Sequence, residues 1–170
     1  ARDVRRIPHE PGVLRAVRET SDLIRQTDQK ICADLGSYAS ELIGQGAKIL
    51  THCNTGALAT AGIGTAIGAF YTAQAQGKNI TVYATETRPL LQGARLTSWE
   101  LDRAGIRTIL LTDSMAAHAM QRGLIDLVML GADRIVRNGD TANKIGTLSL
   151  AVLASHFRIP FYVVAPSTTL

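Results

Sequence analysis

Cysteine, aromatic residues and long apolar runs are all scarce in this sequence, and each shortage removes a class of protein. The 170 residues include only two cysteines. Cys32 and Cys53 lie in different local contexts, so no disulfide framework is expected and a reducing cytoplasm is the expected compartment. Aromatics make up 5% of the chain, so the net charge of +4 has no stacking partners from which to build a base-binding surface. The positive charges gather early, at Arg2, Arg5, Arg6, Arg15, Arg18, Arg25 and Lys30. They read as a solvated helix face, and no nucleic-acid partner is expected. No apolar run approaches the ~20 residues of a membrane-spanning helix. The stretch Ala1 to Arg6 is charged and has no apolar core behind it, so neither a membrane span nor a secretory signal is expected. There is no internal repeat, low-complexity tract or Walker-type phosphate loop. The four histidines, His9, His52, His118 and His156, lack metal-ligand spacing and are read as structural.

What is present is a change of rhythm. From Pro11 to about Ile43 the apolar residues Val13, Val17, Ile24, Ile31, Leu35, Tyr38 and Leu42 recur at helical spacing, and Gly44-Gln45-Gly46 ends the pattern. Residues 1–45 therefore read as a helical lead-in. After it, short apolar runs alternate with helical segments. The expected strands are Lys48–His52, Ile80–Ala84, Thr108–Thr112, Leu127–Leu130 and Phe161–Val164. The expected helices are Ala59–Gln76, Gly93–Ala104, Ser114–Arg122 and Lys144–Phe157. The strand runs are almost continuously apolar, as in a parallel sheet covered on both faces. Residues 46–170 thus read as an α/β domain, a Rossmann-like doubly wound parallel sheet.

Ligands of such sheets bind at the carboxyl ends of the strands. Those ends carry Cys53-Asn54-Thr55-Gly56, Glu86-Thr87-Arg88-Pro89, Asp113-Ser114, Gly131-Ala132-Asp133-Arg134 and Pro166-Ser167-Thr168. Cys53 follows a buried strand, with a helix expected soon after. Unpaired amides and the dipole at a helix N-terminus favour a thiolate, so Cys53 is read as functional and Cys32 as buried and inert. Asp133 follows two small residues that permit a tight turn and leave room for a ligand beside the carboxylate. There it is a candidate proton donor. Candidate phosphate holders are Arg88, Gln92, Arg95, Asn143 and Lys144. Asn143 and Lys144 fall where the last helix is expected to begin, a favourable place for an anion. Arg95 also reads as an exposed structural residue, and Arg88 fits either role.

Two other readings compete. Gly62, Gly64 and Gly68 follow the first strand, and Glu86 ends the second where a ribose-binding acid would sit. The glycines come too late for a dinucleotide fingerprint, which belongs in the turn itself; close helix–sheet packing is their expected use. A non-catalytic interaction module is the other alternative, because a fold does not dictate a function.

Four stretches resemble the methylthioribose-1-phosphate isomerases of methionine salvage: Ile49 to Thr60 (ILTHCNTGALAT), Glu86 to Thr97 (ETRPLLQGARLT), Gly131 to Ile135 (GADRI) and Asn138 to Thr147 (NGDTANKIGT). The resemblance runs from about Asp28 to the end of the chain. The wider superfamily includes ribose-1,5-bisphosphate isomerases and the regulatory subunits of a translation-initiation nucleotide exchange factor. By resemblance, Asp133 matches the family's proton donor and Cys53 its second catalytic residue. Gln92, Asn143 and Lys144 match residues that bind the substrate's phosphate and hydroxyls. The implied reaction turns an aldose phosphate into a ketose phosphate, with 5-methylthioribose 1-phosphate as substrate; 5-deoxyribose 1-phosphate and ribose 1,5-bisphosphate are the alternatives. The resemblance further implies that no metal or organic cofactor is needed, that the protein is a cytoplasmic homodimer, and that it has no membrane partner. The family carries an additional N-terminal domain with an Arg-Gly-Ala motif, which nothing in this chain matches, and it usually continues past the position of Leu170. The catalytic domain is therefore expected to be incomplete at both ends, and these residues alone to have weak or no activity.

Overall fold

The computed structural model describes residues 11–170. Its elements are α1 (Pro11–Ser40), β1 (Lys48–Thr51), α2 (Ala66–Ala75), β2 (Thr81–Thr85), α3 (Ser98–Arg103), β3 (Arg107–Leu111), α4 (Ala116–Gln121), β4 (Leu127–Leu130), β5 (Arg134–Ile135), β6 (Thr141–Ala142), α5 (Thr147–Phe157) and β7 (Phe161–Val163). A π-helical turn, Gly93–Thr97, leads directly into α3. Short 3-10 turns follow β1 at Ala57–Ala59 and β3 at Asp113–Met115.

Five strands form one sheet in the order β3-β2-β1-β4-β7, and every pairing in it is parallel. Side chains alternate across each central strand, so neighbours in sequence enter different cores. Ile49, Val82 and Met129 join Ile43, Ile67, Phe70, Leu101 and Ile106 on one face. Leu50, Tyr83, Val128 and Leu130 join Ala116, Met120, Leu150 and Ala154 on the other. That is the doubly wound α/β arrangement expected from the sequence. The chain winds outward from β1 through β2 to β3, then returns to place β4 on the other side of β1. The crevice of such a fold opens where the strand order reverses, between β1 and β4.

Four features depart from expectation. The apolar stripe of α1 marks a helix but not its buried face. Val13, Val17, Ile24, Tyr38 and Leu42 are exposed, whereas Cys32, Gly36, Ala39 and Ser40 are buried. Small residues face inward because α1 lies close on α2: a Cβ on Gly36 would come within 3.0 Å of Thr72 Oγ1 and 3.1 Å of the Gly68 carbonyl oxygen. Of the glycines after β1, Gly62 serves that same close approach and not helix–sheet packing, since a Cβ on it would meet Cys32 at 2.8 Å, whereas Gly64, at φ 97°, lets its loop close on Thr55 and Gly56. The outer strand β3 is not continuously buried; Arg107 and Leu110 are exposed along it, as an edge strand allows. Finally, the hairpin of β5 and β6 was not expected, and it carries the chain from Asp133 to Asn143. No helix among the described residues is long and apolar enough to cross a membrane.

Candidate active site

Both strands at the switch point end in small-residue loops that face each other. After β1 the backbone turns through Cys53 at φ 64°, a left-handed conformation rare for a residue with a side chain. Thr87 and Leu91, beyond the neighbouring β2, also have positive φ, 66° and 60°. Such strain persists only where the surroundings over-determine it, and here they do. The Cys53 amide donates to Thr87 Oγ1 at 2.9 Å, and the Thr97 hydroxyl donates to the Cys53 carbonyl. The Thr87 and Arg88 amides donate to the two oxygens of Asp113 at 2.9 and 2.7 Å. Asp113 is thus a clamp on the β2 loop.

Beneath the Cys53 loop lies Glu100, a carboxylate only 5% exposed. It accepts from Ala57 N (2.8 Å), Leu58 N (3.3 Å), Asn54 Nδ2 (2.9 Å) and Tyr71 Oη (3.0 Å). A buried charge without such donors would be very costly; with them it fixes the whole turn. Burial, reinforced by the Glu100 charge, pushes the Tyr71 hydroxyl well above its ordinary range and keeps it a donor. The π turn supports this arrangement, because Gly93 lies flat against the Thr85 carbonyl and the turn delivers Thr97 and Glu100 under the loop.

Cys53, Asp133 and Asn143 line one cavity of about 190 Å³, together with Thr55, Thr60, Thr65 and a wall of Ala132, Val164, Ala165 and Pro166. The Asp133 amide donates to the Ala142 carbonyl at 3.0 Å, and its side chain is exposed at the cavity mouth. Gly131 also lines the cavity, and because a Cβ there would meet Thr55 Cγ2 at 2.7 Å, the glycine lets the two loops close on each other. Asn143 donates to Thr147 Oγ1 at 3.1 Å. Lys144 is half-buried and lines the adjoining groove beside Ile145, Leu148 and Phe161.

The expected thiolate at Cys53 is corrected. Only a 3-10 turn follows it, and α2 begins as late as Ala66. Burial pushes the Cys53 thiol above its ordinary range, and the Asp133 carboxylate adds to this; an Asn54 backbone contact and the Lys144 ammonium oppose them. Asn143 and Lys144 do not open the last helix either. Gly146, at φ 105°, stands between them and Thr147. Gln92 lies outside the cavity lining, just before the π turn, with its Oε1 buried and without a hydrogen-bond partner. Arg88 and Arg95 are exposed and reach only nearby carbonyls, of Pro89 and Leu90. Among the described residues, no cluster of three or more His, Cys, Asp or Glu could hold a metal. Sequence reasoning missed Glu100, Thr97 and Thr87, all of which hold the Cys53 loop. No local signal marks Glu100, because its neighbour Trp99 is 51% exposed and Asp102 and Arg103 face solvent.

The model of the initiation factor 2 subunit family matches residues 9–170. The methylthioribose-1-phosphate isomerase of Gemmatimonas aurantiaca is 52% identical over 159 residues, 94% of this chain and 46% of its own length. The enzyme of the same name from Dehalococcoides mccartyi is 60% identical over 146 residues, 86% of this chain and 44% of its own. Among solved structures, the translation initiation factor eIF-2B, subunit delta, from A. fulgidus superposes with a TM-score of 0.85 at 50% identity, covering 91% of this chain and 45% of that one. The 5-methylthioribose 1-phosphate isomerase from Pyrococcus horikoshii OT3 superposes with a TM-score of 0.75 at 40% identity, covering 86% and 41%. The chain spans about half the length of the curated relatives it matches.

Proposed function

The chain belongs to the initiation factor 2 subunit family, and we propose that it is an aldose–ketose isomerase converting 5-methylthioribose 1-phosphate to 5-methylthioribulose 1-phosphate. One observation carries the reading: Cys53 and Asp133, brought from the two strands at the switch point, line a single cavity. Relatives at 52% and 60% identity bear the name of that isomerase.

A phosphate on the anomeric carbon blocks the free aldehyde, so the ring must open with the phosphate in place. Asp133 is the acid that protonates the ring oxygen as its bond to C1 breaks. Hydrogen then moves from C2 to C1, and the C2 hydroxyl gives its proton to the Asp133 carboxylate left by ring opening and becomes the ketone. The hydrogen travels either as a proton through an enolate, with Cys53 as base, or as a hydride, with Cys53 stabilising the transition state. Held protonated by burial, Cys53 serves the hydride route as it stands; the proton route first requires Lys144 to draw out the thiolate. Asn143 and Lys144 hold the phosphate and hydroxyls, Asn143 from the cavity wall. Gln92 is assigned to the same set by the resemblance alone, since it lies outside the lining of this cavity. The same reading has the protein act in the cytoplasm as a homodimer. Its two cysteines are unpaired, and Ile145, Leu148 and Val152 leave an apolar face 74%, 78% and 60% exposed. Light scattering that returns a monomer removes the dimer.

A second reading follows from the likeness to the protein named a translation initiation factor subunit: a family member without catalysis. NMR of 5-methylthioribose 1-phosphate with the full-length protein separates the two. Turnover is expected, falling about 10²-fold or more in Cys53→Ser and Asp133→Asn. No turnover by the folded protein, with 5-deoxyribose 1-phosphate and ribose 1,5-bisphosphate also tried, would favour the non-catalytic branch.

A further inference from the structure

His52 is a histidine the mechanism does not use, yet it is 2% exposed and polar on both ring nitrogens. Its Nε2 lies 2.8 Å from the carbonyl oxygen of Ile145 and its Nδ1 2.6 Å from Thr85 Oγ1. A carbonyl only accepts, so Nε2 carries the proton. Nδ1 of the neutral ring then accepts from the Thr85 hydroxyl. That hydroxyl lies 3.4 Å from Thr87 Oγ1, which in turn accepts the Cys53 amide at 2.9 Å. With the Thr85 hydroxyl proton turned to Nδ1, a string of hydrogen bonds runs unbroken from the Cys53 backbone to the segment that carries Asn143 and Lys144 when the Thr87 hydroxyl turns from the Thr85 carbonyl, 3.2 Å away, to Thr85 Oγ1. The backbone of that segment also rests on the imidazole: a Cβ on Gly146 would come within 2.9 Å of His52 Cε1 and Nε2. Among the described residues the other side-chain hydrogen bonds of the segment are local, Thr147 Oγ1 on the Lys144 carbonyl at 2.7 Å and Asn143 on Thr147. Burial lowers the proton affinity of His52, which keeps the ring in the one-donor, one-acceptor state that this string requires.

We propose that His52 is a positioning residue whose Nε2–H ties the Asn143–Lys144 segment to the Cys53 strand, and so sets the side chains that grip the substrate against those that react with it. The roles of Asn143 and Lys144 rest on the isomerase reading; the tie itself does not. Glutamine places an amide nitrogen near the position of Nε2, whereas asparagine reaches only as far as Nδ1. In full-length protein, His52→Asn is expected to raise KM for 5-methylthioribose 1-phosphate by roughly 10- to 100-fold with a smaller change in kcat, and His52→Gln to restore most of it. Amide hydrogen exchange across residues 143–147 is expected to quicken in His52→Asn and not in His52→Gln, with the strands unchanged. Exchange in His52→Asn that stays at the parent rate overturns the tie, whatever the protein catalyses. Quickened exchange without a KM effect in an active protein overturns its role in substrate binding. Absence of turnover in the parent sinks the isomerase reading alone and leaves exchange to decide the tie. If His52→Asn does not fold, ¹⁵N NMR of the parent decides instead, because a proton found on Nδ1 rather than Nε2 contradicts the assignment.

Discussion

The two loops that meet at the cavity are held in opposite ways. The Cys53 loop stands on a buried carboxylate that takes four donors, with Thr87 and Thr97 gripping its backbone from two further elements. The Asn143–Lys144 segment lies on the outside, beyond a two-residue-per-strand hairpin and beside exposed Ile145 and Leu148. Among the described residues, the His52 imidazole is the side chain that hydrogen-bonds it to the sheet. A reacting group needs a fixed position, and buried, fully satisfied polar networks provide it. A segment that must admit and release a ligand is better held by few contacts.

The largest effect that tests this contrast is at Glu100. Glu100→Gln keeps the shape but turns an NH2 group toward donors that need an acceptor, so at least one buried N–H or hydroxyl loses its partner. A loss of about 2–4 kcal/mol in unfolding free energy is expected by chemical denaturation, together with quickened exchange at Ala57 and Leu58. A variant as stable as the parent would mean that the Cys53 loop is not anchored from below.

Much of this was legible in the sequence, for reasons specific to each element. Buried parallel strands are near-continuous apolar runs, so β1, β2 and β4 could be placed to within a residue, and with them the strand ends that bear Cys53 and Asp133. The buried face of α1 was not legible, because helix–helix contact at that distance selects glycine and alanine, which carry little hydrophobic signal. The anchor was not legible either. Glu100 lies far along the chain from the loop it supports, and nothing local distinguishes a buried acid that accepts amides from a solvated one. Nor could the ionisation of Cys53 be inferred, since it turned on a 3-10 turn replacing the expected helix start and on burial outweighing Lys144.

An intermediate effect probes the reach of the outer segment across the cavity. With its thiol pushed above the ordinary range by burial, Cys53 is expected to react with iodoacetamide at pH 7.5 more slowly than a free cysteine peptide, the rate still climbing past the ~8.5 of an unperturbed thiol. Lys144 opposes that shift, so Lys144→Met is expected to slow the reaction further. An unchanged rate in Lys144→Met would show that the outer segment does not act on Cys53 electrostatically; fast labelling at neutral pH would reinstate the thiolate.

The smallest effect concerns the join itself. Burial, aided by Lys144 and opposed by the Ile145 carbonyl and Asp113, holds the His52 proton affinity below its ordinary value. Unfolded chains bind a proton near pH 6.5 that the folded ring declines, so between that pH and the lower folded value the unfolded state holds more protons. Stability must then fall as pH drops through this window, with a slope of at most ~1.4 kcal/mol per pH unit from this one group. Comparing parent and variant under the same conditions isolates the part of the slope that belongs to His52. In His52→Gln the acid-side slope is expected to shallow while stability near neutral pH stays close to the parent's. Identical slopes would mean that His52 takes up its proton as readily folded as unfolded, which a ring pressed between Thr85 and the Ile145 carbonyl should not do.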